Sequence, residues 1–262
     1  MMETGLRGRV VLVTGASTGI GAATARAFGK EGARVALTYR ANEDVAAQVA
    51  AEVVAAGGEA LTVPLDLQKV STIGDAVDEV IRRWGGVDVL VANAVRWGGS
   101  APDPNAKFED VPTEEWRAMM AANVVGTAEV VRRVLPSMRA RRWGRIVLVS
   151  SGVAEEGLPG PGPYGTAKSA LHGMARALAW NAGGDGILAN VVAPGFTLTE
   201  RNAGGPERLI EALAEGTPSR RLSTPDDIAP LLVFLGSAAN GNLTGELVRE
   251  GTSAARAPHA AM

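Results

Sequence analysis

A tyrosine and a lysine stand four residues apart in Tyr164-Gly165-Thr166-Ala167-Lys168, a spacing that places both side chains on one face of a helix. A tyrosine hydroxyl at its ordinary pKa of about 10 is a poor base near neutrality, and a neighbouring ammonium favours the phenolate. Ser151 follows an apolar run at 145–150, so its hydroxyl is expected at the carboxyl edge of a sheet, where open α/β folds bind ligands. Each feature alone has an ordinary explanation. Surface Tyr–Lys pairs at helical spacing are frequent, and a serine after a strand is often a cap or turn residue. Together they describe proton transfer to or from an oxygen that a second hydroxyl holds.

A second constellation suits a phosphate. Thr14-Gly15-Ala16-Ser17-Thr18-Gly19-Ile20-Gly21 sets three glycines between a short β-branched run and a helix-forming stretch. Glycine there permits a tight turn and close approach of backbone to a pyrophosphate seated on the helix N-terminus. The spacing is GxxxGxG, not the commoner GxGxxG, and a glycine turn without a ligand is the alternative. Its place after the first strand of a parallel α/β pattern favours binding, with Gly15, Ser17, Thr18, Gly19, Ile20 and Gly21 as contacts. The second strand ends Thr38-Tyr39-Arg40. No acid stands there to bond a ribose 2′-hydroxyl, and Arg40 suits a 2′-phosphate. NADP(H) is therefore expected over NAD(H), with Tyr39 and Arg40 beside its adenosine; the competing view is that Arg40 is a solvated surface charge.

The elements that must position these groups follow one rhythm. Strands are expected at 9–14, 34–39, 60–64, 87–92, 145–150 and 188–193, and helices at 20–30, 44–56, 70–84, 116–141 and 164–181. Alternation of this kind, with near-continuous apolar strands, predicts an α/β fold: a single Rossmann-type, doubly wound parallel sheet flanked by helices on both faces. One domain over 1–262 is expected. A polar segment at about 197–225, with a short helix at 207–214, is expected to act as a mobile lid. The Ala-rich stretch at about 252–262 is expected to be a flexible tail or an arm ordered by a neighbouring subunit.

Composition narrows the function classes. A net charge of −2 gives no field for gathering nucleic acid or an anionic membrane. The absence of cysteine excludes disulfides, thiolate nucleophiles and Cys-built zinc sites, and two histidines are too few for a His-rich metal site. No signal-like run and no stretch of about 20 apolar residues is present, so a cytoplasmic protein is expected.

From about residue 7 to residue 251 the chain resembles the short-chain dehydrogenase/reductase family. The resemblance rests on TGASTGIG at 14–21, Asp66, Asn93-Ala94, Asn123, Ser151, the YGTAK run at 164–168, and Pro194-Gly195 with Thr199. It implies a tetrad of Asn123, Ser151, Tyr164 and Lys168: serine polarises a carbonyl, tyrosine moves the proton, lysine lowers the tyrosine pKa and bonds the nicotinamide ribose, and asparagine holds a relay water. It also implies cofactor contacts at Asp66 and Leu67 near the adenine, at Asn93 and Ala94, and at Pro194, Gly195, Thr197 and Thr199 over the nicotinamide amide.

The chain looks most like the 3-oxoacyl-carrier reductase and glucose-dehydrogenase branches, so a ketone or secondary-alcohol substrate, free or carrier-bound, is expected, and so is a homotetramer or dimer. Reduction of a 3-oxoacyl or related ketone is the first reading. Oxidation of a sugar, steroid or other secondary alcohol is the rival, and a non-catalytic NADP(H) sensor, whose signature would be a broken tetrad, the remote one. Three departures stand out: Val95 replaces the family's glycine, Asp185 stands where carrier reductases carry a basic residue, and the run 247–252 lacks the usual Asp-Gly-Gly. Val95 is expected to shift its loop without loss of binding. Trp97, Leu158 and Phe196 are candidate apolar walls of the substrate pocket. Glu155 and Glu156 are expected at a solvated surface, and the cluster Arg139, Arg141, Arg142 and Arg145 is a candidate carrier-docking patch or a solvated face.

Overall fold

The structure, a computed structural model, describes residues 3–98, 107–157 and 162–251. Seven parallel strands form one sheet in the order β3-β2-β1-β4-β5-β6-β7. They are β1 (Val10–Val13), β2 (Arg34–Tyr39), β3 (Glu59–Pro64), β4 (Val89–Ala92), β5 (Gly144–Val149), β6 (Ile187–Pro194) and β7 (Leu247–Glu250). Every residue of β1, β4, β5 and β6 is buried. Branched apolar side chains on both faces require both faces to be covered, and the helices do that.

On one face α1 (Gly19–Lys30), α2 (Glu43–Ala55) and α9 (Pro225–Leu235) pack through Phe28, Val49, Val53, Ile228 and Leu232. On the other, α3 (Val70–Trp84), α5 (Thr127–Arg141) and α7 (Gly162–Ala182) pack through Ile73, Val77, Val134, Leu171 and Leu178. Burial of each such Leu, Ile, Val or Phe contributes about 1.5–3 kcal/mol. The doubly wound sheet expected from the sequence is thus present. Its strand order reverses between β1 and β4, which opens a crevice at their carboxyl ends.

Several elements differ from expectation. The helix expected at 116–141 begins earlier as α4 (Thr113–Met120) and widens into a π-helical turn (Ala121–Gly126) before α5. Gly126 lies so close to the loop after β3 that an added Cβ would stand 2.4 Å from the Leu67 carbonyl oxygen. A four-residue helix, α6 (Val153–Glu156), follows Ser151. The segment from Thr197 contains α8 (Glu207–Glu215), and Thr197 bridges to Ser223. Helix α9 and strand β7 were not expected. The former has a legible start, since Thr224 and Asp227 form a capping box and Pro225 sits at the first position. The latter is a four-residue, half-buried edge strand with no alternation to reveal it. The expected tail at 252–262 and Leu158 lie outside the described residues.

Candidate active site

The crevice at the strand reversal is a cleft of about 610 Å³. Gly15, Ser17, Thr18, Gly19, Ile20, Tyr39, Arg40, Asp66, Leu67, Asn93, Ala94 and Thr199 line it, all singled out from the sequence, and so do Val95, Arg96, Trp97, Glu200 and Arg201. The glycine loop is held by main chain and by the side chains of Thr38, Asn93 and Glu200. Asn93 Nδ2 donates to the carbonyls of Thr14 and Gly15 at 3.0 and 2.9 Å, and the Ala16 N–H reaches the Thr38 carbonyl at 2.8 Å. Gly15 has φ +64, and a Cβ there would meet the Ala94 Cα at 2.8 Å, so loop and β4 approach as only glycine permits. Gly21 faces backward: its Cβ would stand 2.2 Å from the Gly15 carbonyl oxygen, which fits tight packing of helix on loop and no contact with the cleft. Pro194, Gly195 and Thr197 also stay off the cleft wall. The Gly195 N–H is held by the Glu250 carbonyl, and the Thr197 hydroxyl by the Gly195 carbonyl.

Arg40 lines the cleft after β2 and makes no hydrogen bond or ion pair among the described residues. Burial, together with the nearby Glu43 carboxylate, raises the pKa of Tyr39 beside it. Elsewhere on the cleft wall Glu200 Oε2 accepts the Gly19 N–H at 3.1 Å, and Arg201 lies over the Trp97 ring at 4.5 Å.

Ser151, Tyr164, Lys168 and Asn123 converge at the carboxyl ends of β4 and β5. Ser151 sits near enough to the Tyr164 phenol for its hydroxyl to pull the phenol pKa downward. Ser151 Oγ also accepts the Val153 N–H at 3.4 Å, where α6 begins. Lys168, one turn along α7, is buried; its Nζ donates to the Val149 carbonyl at 2.7 Å and lies 5.9 Å from the Tyr164 ring centre. Asn123 is buried in the π-helical turn. Its Oδ1 accepts the Arg96 N–H at 2.8 Å and its Nδ2 donates to the Arg96 carbonyl at 3.0 Å, so it clasps the loop after β4. Widened turns of this kind recur at functional sites because they re-aim one side chain.

The electrostatics differ from the sequence expectation. Burial pushes the Tyr164 phenol up to about 12, against opposing pulls from the Ser151 hydroxyl and the Arg201 charge. Burial pulls the Lys168 ammonium down to about 8. The lysine does not depress the tyrosine in this arrangement, because its ammonium is turned to the Val149 carbonyl and desolvation governs both groups.

Trp97, expected as a pocket wall, stacks on Tyr164 with ring centres 5.0 Å apart and planes at 17°. Phe196 is partly exposed. Glu155 is exposed, as expected, and its carboxylate pairs with Arg249 on β7. Glu156 has a buried Oε2 with no hydrogen-bond partner among the described residues. Within the arginine cluster Arg142 stays exposed and Arg145 is buried. Arg139 and Arg142 pair with Asp185, and Arg141 bonds the Gly85 carbonyl. Arg145 is buried among the carbonyls of Gly144, Ser237 and Asn240. Asp185, the departure noted in the sequence, is the counter-charge that ties this patch to the fold. No helix among the described residues is long and apolar enough to cross a membrane.

Comparison with known proteins agrees with this geometry. A family model described as enoyl-(acyl carrier protein) reductase matches residues 15–249, and the chain belongs to the short-chain dehydrogenase/reductase family. It is an oxidoreductase of a family that uses a nicotinamide cofactor. An acetoacetyl-CoA reductase of Shinella zoogloeoides is 34% identical over 92% of this chain and 95% of its own length. A 3-oxoacyl-(acyl-carrier-protein) reductase of Thermotoga maritima is 33% identical over 93% and 96%. The crystal structure of a 3-oxoacyl (acyl-carrier-protein) reductase from Agrobacterium tumefaciens C58 with NADP bound superposes with a TM-score of 0.84 at 32% identity, over 94% of this chain and 93% of that one.

Proposed function

We propose that this chain is an NADP(H)-preferring reductase of a 3-oxoacyl or related ketone, with Ser151 and Tyr164 gripping the carbonyl oxygen. The observation that carries the reading is the Tyr164–Ser151 hydroxyl pair, with Lys168 buried one helical turn behind it. A carbonyl oxygen placed between the two hydroxyls receives a hydrogen bond from Ser151 and the phenolic proton from Tyr164. A phenol pushed up to about 12 is protonated at neutral pH and so carries the proton that the carbonyl oxygen would receive.

The cleft suits a dinucleotide. Its loop has no room for a Cβ at Gly15, the α1 N-terminus already holds a carboxylate at Gly19, and Arg40 offers an unpaired guanidinium at the adenosine end. Bound there, the nicotinamide supplies the hydride that the carbonyl carbon accepts. Asp66 and Leu67 would flank the adenine, Gly15 to Ile20 would hold the pyrophosphate, and Lys168 would hold the ribose. Asn123 keeps the Arg96 loop, and with it Trp97, in place over Tyr164. The similarity to an acetoacetyl-CoA reductase and to a carrier-dependent reductase supports a 3-oxoacyl thioester as substrate. A screen of NADPH oxidation over ketones, quinones and 3-oxoacyl thioesters tests this: turnover is expected with the thioesters, and turnover confined to quinones would refute it.

A further inference from the structure

The stretch after β6 sends two adjacent charges into the cofactor cleft. The Thr199 N–H bonds Asn202 Oδ1 at 2.7 Å, Asn202 Nδ2 bonds the Thr197 carbonyl at 2.8 Å, and the Ala203 N–H bonds the Thr199 carbonyl at 2.9 Å. These bonds close a compact turn with Glu200 and Arg201 at its tip. Glu200 reaches the Gly19 N–H, 181 positions away in sequence, while Arg201 covers Trp97. Thr199 closes over the same glycine, 3.4 Å from where a Cβ would stand.

Helix α1 needs an anion at that end and does not supply one. Its N-cap, Thr18, makes no side-chain cap bond, and its first turn holds no acid. A 12-residue helix leaves unpaired N–H groups and a partial positive charge there. Glu200 satisfies both from a distant segment. The carboxylate therefore occupies the position where a dinucleotide pyrophosphate meets the loop.

We propose that Glu200 is an internal competitor for the pyrophosphate position, so that cofactor binds only as Glu200 leaves the α1 N-terminus. The inference rests on the dinucleotide reading of the cleft given above. Two anions cannot share the Gly19 N–H, and the apparent cofactor affinity is lowered by the fraction of molecules in which Glu200 holds it. The turn thereby couples the α1 N-terminus to the aromatic stack: when Glu200 departs, Arg201 moves with it and uncovers the Trp97–Tyr164 stack.

The test is calorimetric titration of wild type, Glu200→Gln and Glu200→Ala with NADPH, NADH and inorganic pyrophosphate at low ionic strength. Both variants should bind all three ligands more tightly by a common factor of about 2- to 5-fold, the range expected for one charge at a helix N-terminus. Unchanged or weaker binding in Glu200→Gln overturns the proposal, and so does tightening for NADPH alone, which would place Glu200 at the 2′-phosphate. Wild-type protein that binds neither dinucleotide, with pyrophosphate still tightened by Glu200→Gln, defeats the functional reading and upholds the role of Glu200.

Discussion

The Trp97 indole lies on the Tyr164 ring, 5.0 Å between centres and 17° from parallel, with the Arg201 guanidinium 4.5 Å from the indole centre. Tyr164, the proposed proton-transfer residue, is therefore flanked by Ser151 near its hydroxyl and by an indole on its ring. An offset aromatic pair contributes about 0.5–1.5 kcal/mol beyond the area it buries. Trp97→Ala should lower kcat/KM for the ketone by about 2- to 10-fold on that basis, and Trp97→Phe should restore most of it. Steady-state kinetics on both variants checks this; equal losses in the two would show that the stack does not position Tyr164.

On the proposed reading Arg40 sets the choice between dinucleotides. It follows β2 and makes no ion pair among the described residues, and a hydrogen bond to a charged group is worth about 1.5–3 kcal/mol. Arg40→Ala should weaken NADPH by roughly 10- to 100-fold and leave NADH nearly untouched. Equal effects on the two cofactors, measured by titration, would remove the argument for NADP(H).

Lys168 links stability to pH. Its folded pKa of about 8 lies below the ordinary 10.5, so the fold disfavours its charged form. Below pH 8 both folded and unfolded chains carry the proton and the penalty is complete. Between about 8 and 10.5 only the unfolded chain keeps it, so this contribution to stability rises with pH, by about 3 kcal/mol in all. Lys168→Met should be more stable than wild type near pH 7, with the margin shrinking as pH rises to 10. Calorimetric melting of both proteins across that range reads the effect, and a constant margin would contradict the buried ammonium.

If the expected oligomer forms through α7, Trp180, which is 92% exposed, is the ring that a partner would cover. Trp180→Asp should reduce the mass observed by sedimentation without altering the far-ultraviolet dichroism. An unchanged mass would place any subunit contact elsewhere.

What the sequence made legible was local. The β-branched runs of β1, β4, β5 and β6, the glycines from Gly15 to Gly21 and the Tyr164–Lys168 spacing are each written within one or two turns of chain, and the fold and the site's outline followed from them. What stayed hidden depends on residues far apart. Nothing near Glu200 announces that it meets Gly19, and nothing near Asp185 shows that it neutralises Arg139 and Arg142. Arg249 as the partner of Glu155 appears only once β7 pairs with β6. The reversed behaviour of Tyr164 and Lys168 has the same origin, because burial is a tertiary quantity and a four-residue spacing does not report it. Helix α9 is the exception: Thr224, Pro225 and Asp227 mark its start within four residues.

The most direct test of the account is Tyr164→Phe, assayed for NADPH-dependent reduction of a 3-oxoacyl thioester alongside calorimetric NADPH binding. Loss of the phenolic proton should lower turnover by about 10²- to 10⁴-fold, the range for a general acid, while NADPH binds as it does to wild type. Wild-type turnover in a folded, cofactor-binding Tyr164→Phe protein would contradict the assignment of Tyr164 as the proton donor.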